Sequence, residues 1–359
     1  MGFDTTIKRL TLKKISYLTS IIIGAISLAV FIVYFFDWKT TVKILRELKI
    51  TTLLMAILFF FLTVFLRAFK WTYILKQSET ISWCDGFYAI MITNMANAIF
   101  PMKIGEILKL YIVNKIGEIK YRNSISASVI DRLSQFLTVM IFICFTVSAG
   151  YRFSFWPSKI NLFLIVSIGA MIVFFALGDV LFVMGRKVFN FFMGEFLLNN
   201  KFTVKFLRNR YNYFIRDIIS EITRSIRKHD VICYILILSF MIISIDGLCF
   251  MILLDAFSVD ISWLQATVAV SIMLVLFLLP TPPGQVGTAE IYPIIIFCYG
   301  LSLSHNIISS VSIIWHIVTT IILLVLGTVS IFALGIKWSN LFNAVKDKYE
   351  DGALEKERI

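Results

Sequence analysis

The chain has 359 residues, of which 59% are hydrophobic, 15% aromatic and 16% charged. A soluble domain is nearer ~45–50% apolar and ~25% charged, so this composition excludes a soluble enzyme, a disordered tail and a secreted disulfide scaffold. Lys and Arg number 34 against 22 Asp and Glu, a net charge of +12. In so apolar a chain that excess points to the positive cytoplasmic loops of a polytopic membrane protein, and not to a nucleic-acid-binding surface.

A bilayer core of about 30 Å takes roughly 20 apolar residues in helical rise. The first such run, Ile15–Phe36, follows Lys8, Arg9, Lys13 and Lys14, which places the N-terminus in the cytoplasm. It is too long for the core of a signal peptide, and no small-residue cleavage site follows it. Lys39, Lys43, Arg46 and Lys49 then fall in a loop assigned to the outside, where a short interfacial helix accommodates them. Ile50–Phe69 is the second span. The next stretch, Phe87–Leu110, is apolar but broken by Asn94, Asn97, Pro101, Lys103, Gly105 and Glu106.

Ile125–Ser148 and Leu162–Met184 are further spans. Between Gly185 and Asp230 lie ten Lys or Arg residues, and this cytoplasmic segment is amphipathic. Leu207, Tyr211, Phe214, Ile218, Ile222 and Ile226 share one helical face there, as in a helix lying on an anionic lipid surface or packed on the bundle. Val231–Leu254, Ile261–Leu279 and Ile307–Leu334 complete seven clear spans. Pro280–Leu301 is the second broken stretch, interrupted by Pro280, Pro282, Pro283, Gly284, Gly287 and Glu290. A basic C-terminus favours its crossing the membrane, for eight spans.

The expected fold is therefore an all-α polytopic bundle of seven to eight spans, with one or two re-entrant or discontinuous segments. Residues 1–336 form one membrane domain, with the amphipathic segment 185–230 inside it, and 337–359 a short charged cytoplasmic tail. Irregular backbone at membrane depth survives only where protein or a wet cavity satisfies it. The two breaks are alike: Gly105 follows Pro101 by four residues and Gly287 follows Pro283 by four, with Glu106 and Glu290 just beyond. Matching Gly/Pro interruptions in two halves point to an internal repeat with a transporter-type site between its halves.

Charges inside a membrane face a cavity or a partner. Asp131 and Arg132 are adjacent on a helix and point apart, so each is expected to meet a charge from a broken stretch, such as Glu106 or Lys103. Arg67, Lys70, Lys103 and Lys109 gather near the same face. With Arg132 they suit a phosphate, Arg through its fork and Lys as a point charge. Glu106 and Glu290, each beside a glycine, are free to balance those cations, bind a cationic headgroup or take up a proton. Asp246 is a secondary candidate, and His316 is expected to be a packing histidine. The full candidate binding set is Arg67, Lys70, Asn97, Lys103, Glu106, Lys109, Asp131, Arg132, Gly284, Gly287 and Glu290.

No Walker loop, dinucleotide fingerprint, His-Glu-x-x-His helix or nucleophile elbow occurs. Five cysteines without a Cys-x-x-Cys pair argue against a zinc site. Neither cofactor nor metal is expected.

The run Arg67-x-x-Lys70-Trp71, Asn97-x-x-x-Pro101-x-Lys103-x-Gly105-Glu106-x-x-Lys109, Asp131-Arg132-Leu133 and Pro280-x-x-Pro283-Gly284-x-x-Gly287-x-x-Glu290 resembles the lysylphosphatidylglycerol synthase transmembrane-region family. Those proteins are also described as flippase-like. The resemblance covers roughly Lys8 to Leu334 and implies lipid translocation in a prokaryotic plasma membrane. It departs at Lys103 and Lys109, where the family often has arginine, and at Gln285, where a second glycine is common. The family's aminoacyl transfer belongs to a separate soluble domain. Only about two dozen residues follow the last span here, so a lysyltransferase activity is not expected.

The function that follows is translocation or binding of an anionic headgroup, on a phospholipid or a polyprenyl-phosphate-linked lipid. Arg67, Lys103, Lys109 and Arg132 would hold the phosphate, while Glu106, Asp131 and Glu290 would balance charge. Two alternatives stay open: a membrane-embedded transferase using a lipid-linked donor, and an accessory subunit of a cell-envelope lipid or glycan synthesis complex. Membrane lipid is the expected partner, with lipid or glycan biosynthesis enzymes beside it.

Overall fold

The computed structural model describes residues 49–100, 103–150, 228–277 and 281–336, with a few positions at 46, 153–154 and between 218 and 225. Ile15–Phe36, Leu162–Met184, most of the segment 185–230, Pro101, Pro280 and the tail 337–359 lie outside them. Every described element is helical.

The first half holds α1 (Ile50–Leu75), α2 (Trp83–Ile99), α3 (Gly105–Gly117) and α4 (Tyr121–Ser148). The second holds α5 (His229–Asp255), α6 (Trp263–Leu276), a tight turn at Pro283–Gln285 and α7 (Thr288–Pro293). α7 continues through a π-helical turn, Ile294–Cys298, into α8 (Tyr299–Leu301), and α9 (His305–Ala333) ends the half. Both halves thus run long helix, short helix, break, short arm, long helix.

Local sequence explains the matching starts. Ile81-Ser82-Trp83 and Ile261-Ser262-Trp263 open the two short helices. Ser82 caps α2 by accepting from the Asp85 N–H at 3.0 Å, and Ser262 caps α6 by accepting from the Gln265 N–H at 3.2 Å. Among the described residues four helices, α1, α4, α5 and α9, are long and apolar enough to cross a membrane. At 14 residues α6 is too short. The run Ile261–Leu279, expected as a span, is instead the outgoing arm of a hairpin. Residues 281–301 turn back beside it: Phe277 meets Tyr292 near the tip, and Phe297 stacks on Phe250 toward the C-terminal end of α5.

The halves are inverted. Along α1 and α5, Cys249 donates to the Ala56 carbonyl, Lys70 reaches Ser239 and Tyr73 packs on Tyr234. Numbers rise on one helix as they fall on the other, so the two lead helices are antiparallel and the hairpins enter from opposite ends. The α2–α3 hairpin and the α6–α7 hairpin meet at their tips, where the Ala98 carbonyl lies 3.6 Å from the position of a Cβ on Gly284. Each hairpin also leans on the closing helix of the other half, α2 through Met95 at Gly327 of α9 and α6 through Trp263 at Phe142 of α4.

Apolar residues cover the outside. Ile317, Ile321, Val325 and Val329 recur every fourth residue along α9, each more than half exposed. Such a continuous row suits hydrocarbon and not water. Inside, buried hydroxyls of Thr72, Thr93, Ser239 and Ser312 donate to the carbonyl four residues earlier, which satisfies them within their own helices.

Gly105 sets the first hairpin's tip. Its N–H donates to Asn97 Oδ1 at 2.9 Å, and a Cβ there would lie 2.2 Å from the Thr93 carbonyl oxygen. Gly105→Ala must push α3 off α2, and is expected to cost about 1–3 kcal/mol. Thermal unfolding in detergent checks this, and an unchanged midpoint would contradict the close approach.

Candidate functional site

The first constellation lies where α1, α3 and α4 converge. Glu106 opens α3 and takes two cations, Lys109 Nζ at 2.7 Å and Arg132 Nη2 at 2.7 Å. One residue before Arg132, Asp131 turns the other way and pairs with Lys70 Nζ at 2.8 Å. Lys70 is fully buried and also donates to Ser239 at 2.9 Å and Ser134 at 3.3 Å, so one ammonium ties α1, α4 and α5 together. Lys109 sits 5.0 Å from the Trp71 ring centroid, a cation–π distance, and Trp71 Nε1 donates to Ser128.

Lys103 stands at the hairpin tip with a left-handed backbone, φ 54°. Among the described residues no ion pair holds it, yet Arg132 and Glu106 both act on it electrostatically. Lys70, Lys103, Lys109 and Arg132 thus face two carboxylates, and positive charge is left over.

A second constellation forms where the second hairpin meets α9. Glu290 is nearly fully buried and accepts from the Gly287 N–H at 2.7 Å. Its other oxygen lies 2.6 Å from His316 Nδ1, and His316 Nε2 lies 2.8 Å from the Gly284 carbonyl oxygen. Beside them is a cavity of ≈ 230 Å³, walled by Phe60, Phe250, Gln285, Trp315 and His316, with Arg67 and Asp246 on its lining as an ion pair.

The two constellations are related by the repeat. Glu106 meets Arg132 across 26 residues, and Glu290 meets His316 across 26. Arg132 and His316 are each the twelfth residue of a closing helix, counted from Tyr121 and His305.

The candidate set therefore divides. Lys70, Lys103, Glu106, Lys109, Asp131 and Arg132 come together in the first half. Gly284, Gly287 and Glu290 come together in the second. Arg67, expected beside the phosphate ring, faces Asp246 and the cavity instead, because one turn before Lys70 it meets antiparallel α5 at the level of Asp246 and not of Ser239. Asp131, expected to meet a charge from a broken stretch, meets Lys70 of α1. Asn97 is spent on the Gly105 N–H. His316, expected to be a packing histidine, contacts both the carboxylate and the tip of the second hairpin. The signal that reveals it is the repeated 26-residue spacing, which appears only once the two breaks are aligned on their glutamates.

One family model, described as the lysylphosphatidylglycerol synthase TM region, matches residues 17–327. No curated protein and no solved structure matches the chain.

Proposed function

The chain belongs to the lysylphosphatidylglycerol synthase transmembrane-region family and is an integral membrane protein, and we propose that it binds an anionic lipid headgroup and moves it across the bilayer. The observation that carries this reading is the surplus of cations over carboxylates at the first hairpin's tip. Buried charge is costly in a membrane protein unless it meets an opposite charge, and a phosphate would supply one. The headgroup belongs to a phospholipid or a polyprenyl-phosphate-linked lipid, whose chains would lie along the apolar outer rows.

In this reading both hairpins are re-entrant, one from each side of the membrane. Lys76, Lys115, Lys120, Arg122 and Lys228 gather at the end where the first hairpin is rooted, while Lys49, Asp255 and Asp260 lie at the other. The basic end is cytoplasmic by the positive-inside rule. In the same reading the N-terminus is cytoplasmic and the membrane is a prokaryotic plasma membrane. Inverted hairpins meeting at mid-bundle are suited to alternating access, each half opening the shared region to its own side.

The test is translocation of fluorescent phosphatidylglycerol in proteoliposomes, read with a membrane-impermeant quencher. Arg132→Gln is expected to slow the protein-dependent rate by tenfold or more, at about 1.4 kcal/mol per factor of ten. An unchanged rate would overturn the assignment.

A further inference from the structure

The hydrogen bonds around His316 fix how many protons its site holds. The Gly284 carbonyl oxygen can only accept, so the Nε2 atom 2.8 Å away carries hydrogen. The Nδ1 atom lies 2.6 Å from Glu290 Oε1. With Nε2 already protonated, that contact needs one further proton, either on Nδ1 or on Oε1. Imidazolium with carboxylate and neutral imidazole with carboxylic acid are the two arrangements, and both hold one proton more than a neutral histidine beside a carboxylate. The second oxygen of Glu290 is engaged by the Gly287 N–H at 2.7 Å, so the extra proton sits between α9 and the hairpin.

We propose that the Glu290–His316 pair is a proton-binding site that fastens the tip of the second hairpin to α9 and releases it on deprotonation. Without the extra proton, a nitrogen lone pair must face either the Glu290 carboxylate or the Gly284 carbonyl, and one of the two ties is lost. The tip is built to respond. Gly284, Gln285 and Gly287 all have left-handed backbone, with φ of 64°, 56° and 83°, and His316 of α9 holds both Glu290 and the Gly284 carbonyl.

The repeat supplies an internal contrast. At the same 26-residue spacing the first half has Arg132 on Glu106, a guanidinium that stays charged. The second half has a histidine, whose protonation changes near neutral pH. Across the cavity His316 is faced by Arg67 of α1 and by Asp246 and Cys249 of α5. Arg67 and Asp246 neutralise each other. α6 carries no charged residue, and the one acidic residue of α2, Asp85, is at its far end. The cavity of ≈ 230 Å³ has room for several waters at about 30 Å³ each, a path for the proton. As a coupling site this inference rests on the transport reading above; as a proton site it does not.

The experiment uses the full chain in liposomes with ¹⁵N-labelled histidine, the His316 signals being those lost in His316→Gln. Amide hydrogen exchange of residues 282–292 is followed on the same samples. As the pH is raised from acid to alkaline, His316 should change its protonation and the tip's protection should fall at least tenfold. Glu290→Gln keeps both ties without the extra proton, because its amide donates to Nδ1 and its oxygen accepts from Gly287. Protection should then stay high at every pH. A His316 spectrum unchanged across the range, or an equal fall in Glu290→Gln, would overturn the proposal. Titration and loosening without any phosphatidylglycerol translocation would leave the proton site standing and remove the transport reading. Translocation without titration would do the reverse.

Discussion

Lys70→Met is expected to lower the stability of the purified protein by about 3–5 kcal/mol, because it strands Asp131 as an unpaired charge inside the bundle. Lys70 has no exposed surface, and its ammonium on α1 bridges Asp131 and Ser134 of α4 and Ser239 of α5. Asp131→Asn should cost a similar amount by leaving the ammonium as the unpaired member. A double variant, Lys70→Met with Asp131→Leu, removes both charges, and replacing a whole buried ion pair by apolar groups is often nearly neutral. It should recover most of the loss. Equilibrium unfolding in mixed micelles measures all three. Additive losses in the double variant would show that the two residues act separately.

Glu106→Gln is expected to tighten binding of an anionic headgroup about tenfold, roughly 1.4 kcal/mol, and to slow translocation. The reason is that Glu106 already occupies Lys109 and Arg132, at 2.7 Å each. An incoming phosphate must displace that carboxylate, and the carboxylate's return helps the phosphate leave. A neutral amide competes less, so the lipid binds harder and departs later. Arg132→Gln acts in the opposite sense, since it removes the fork that grips the phosphate. Arg132→Lys should fall between them, keeping the charge without the bidentate geometry. If Glu106 served only to brace the hairpin, its loss would weaken binding and stability together.

Much of this arrangement is legible in the sequence at the two breaks. Proline and glycine punctuate apolar runs, and the glutamates beside Gly105 and Gly287 mark where backbone is free. The apolar run Ile261–Leu279 is misleading because Ala266, Thr267, Val268, Ala269, Val270 and Ser271 are all buried. A short helix enclosed by protein on every side is as apolar as a span, and run length alone does not separate the two. The ion pairs are less legible. Arg67 and Asp246 are 179 residues apart and meet only because α1 and α5 are antiparallel, which no local pattern encodes. His316 is different: its role can be read from the alignment of Glu106…Arg132 with Glu290…His316, and the paired Ile-Ser-Trp openings support the same alignment.

Equilibrium binding of fluorescent phosphatidylglycerol in phosphatidylcholine nanodiscs tests the central claim most directly. The expected order of affinity is Glu106→Gln tightest, the unaltered chain next and Arg132→Gln weakest. One affinity shared by all three, or equal weakening by both substitutions, would contradict a headgroup site at the first hairpin's tip.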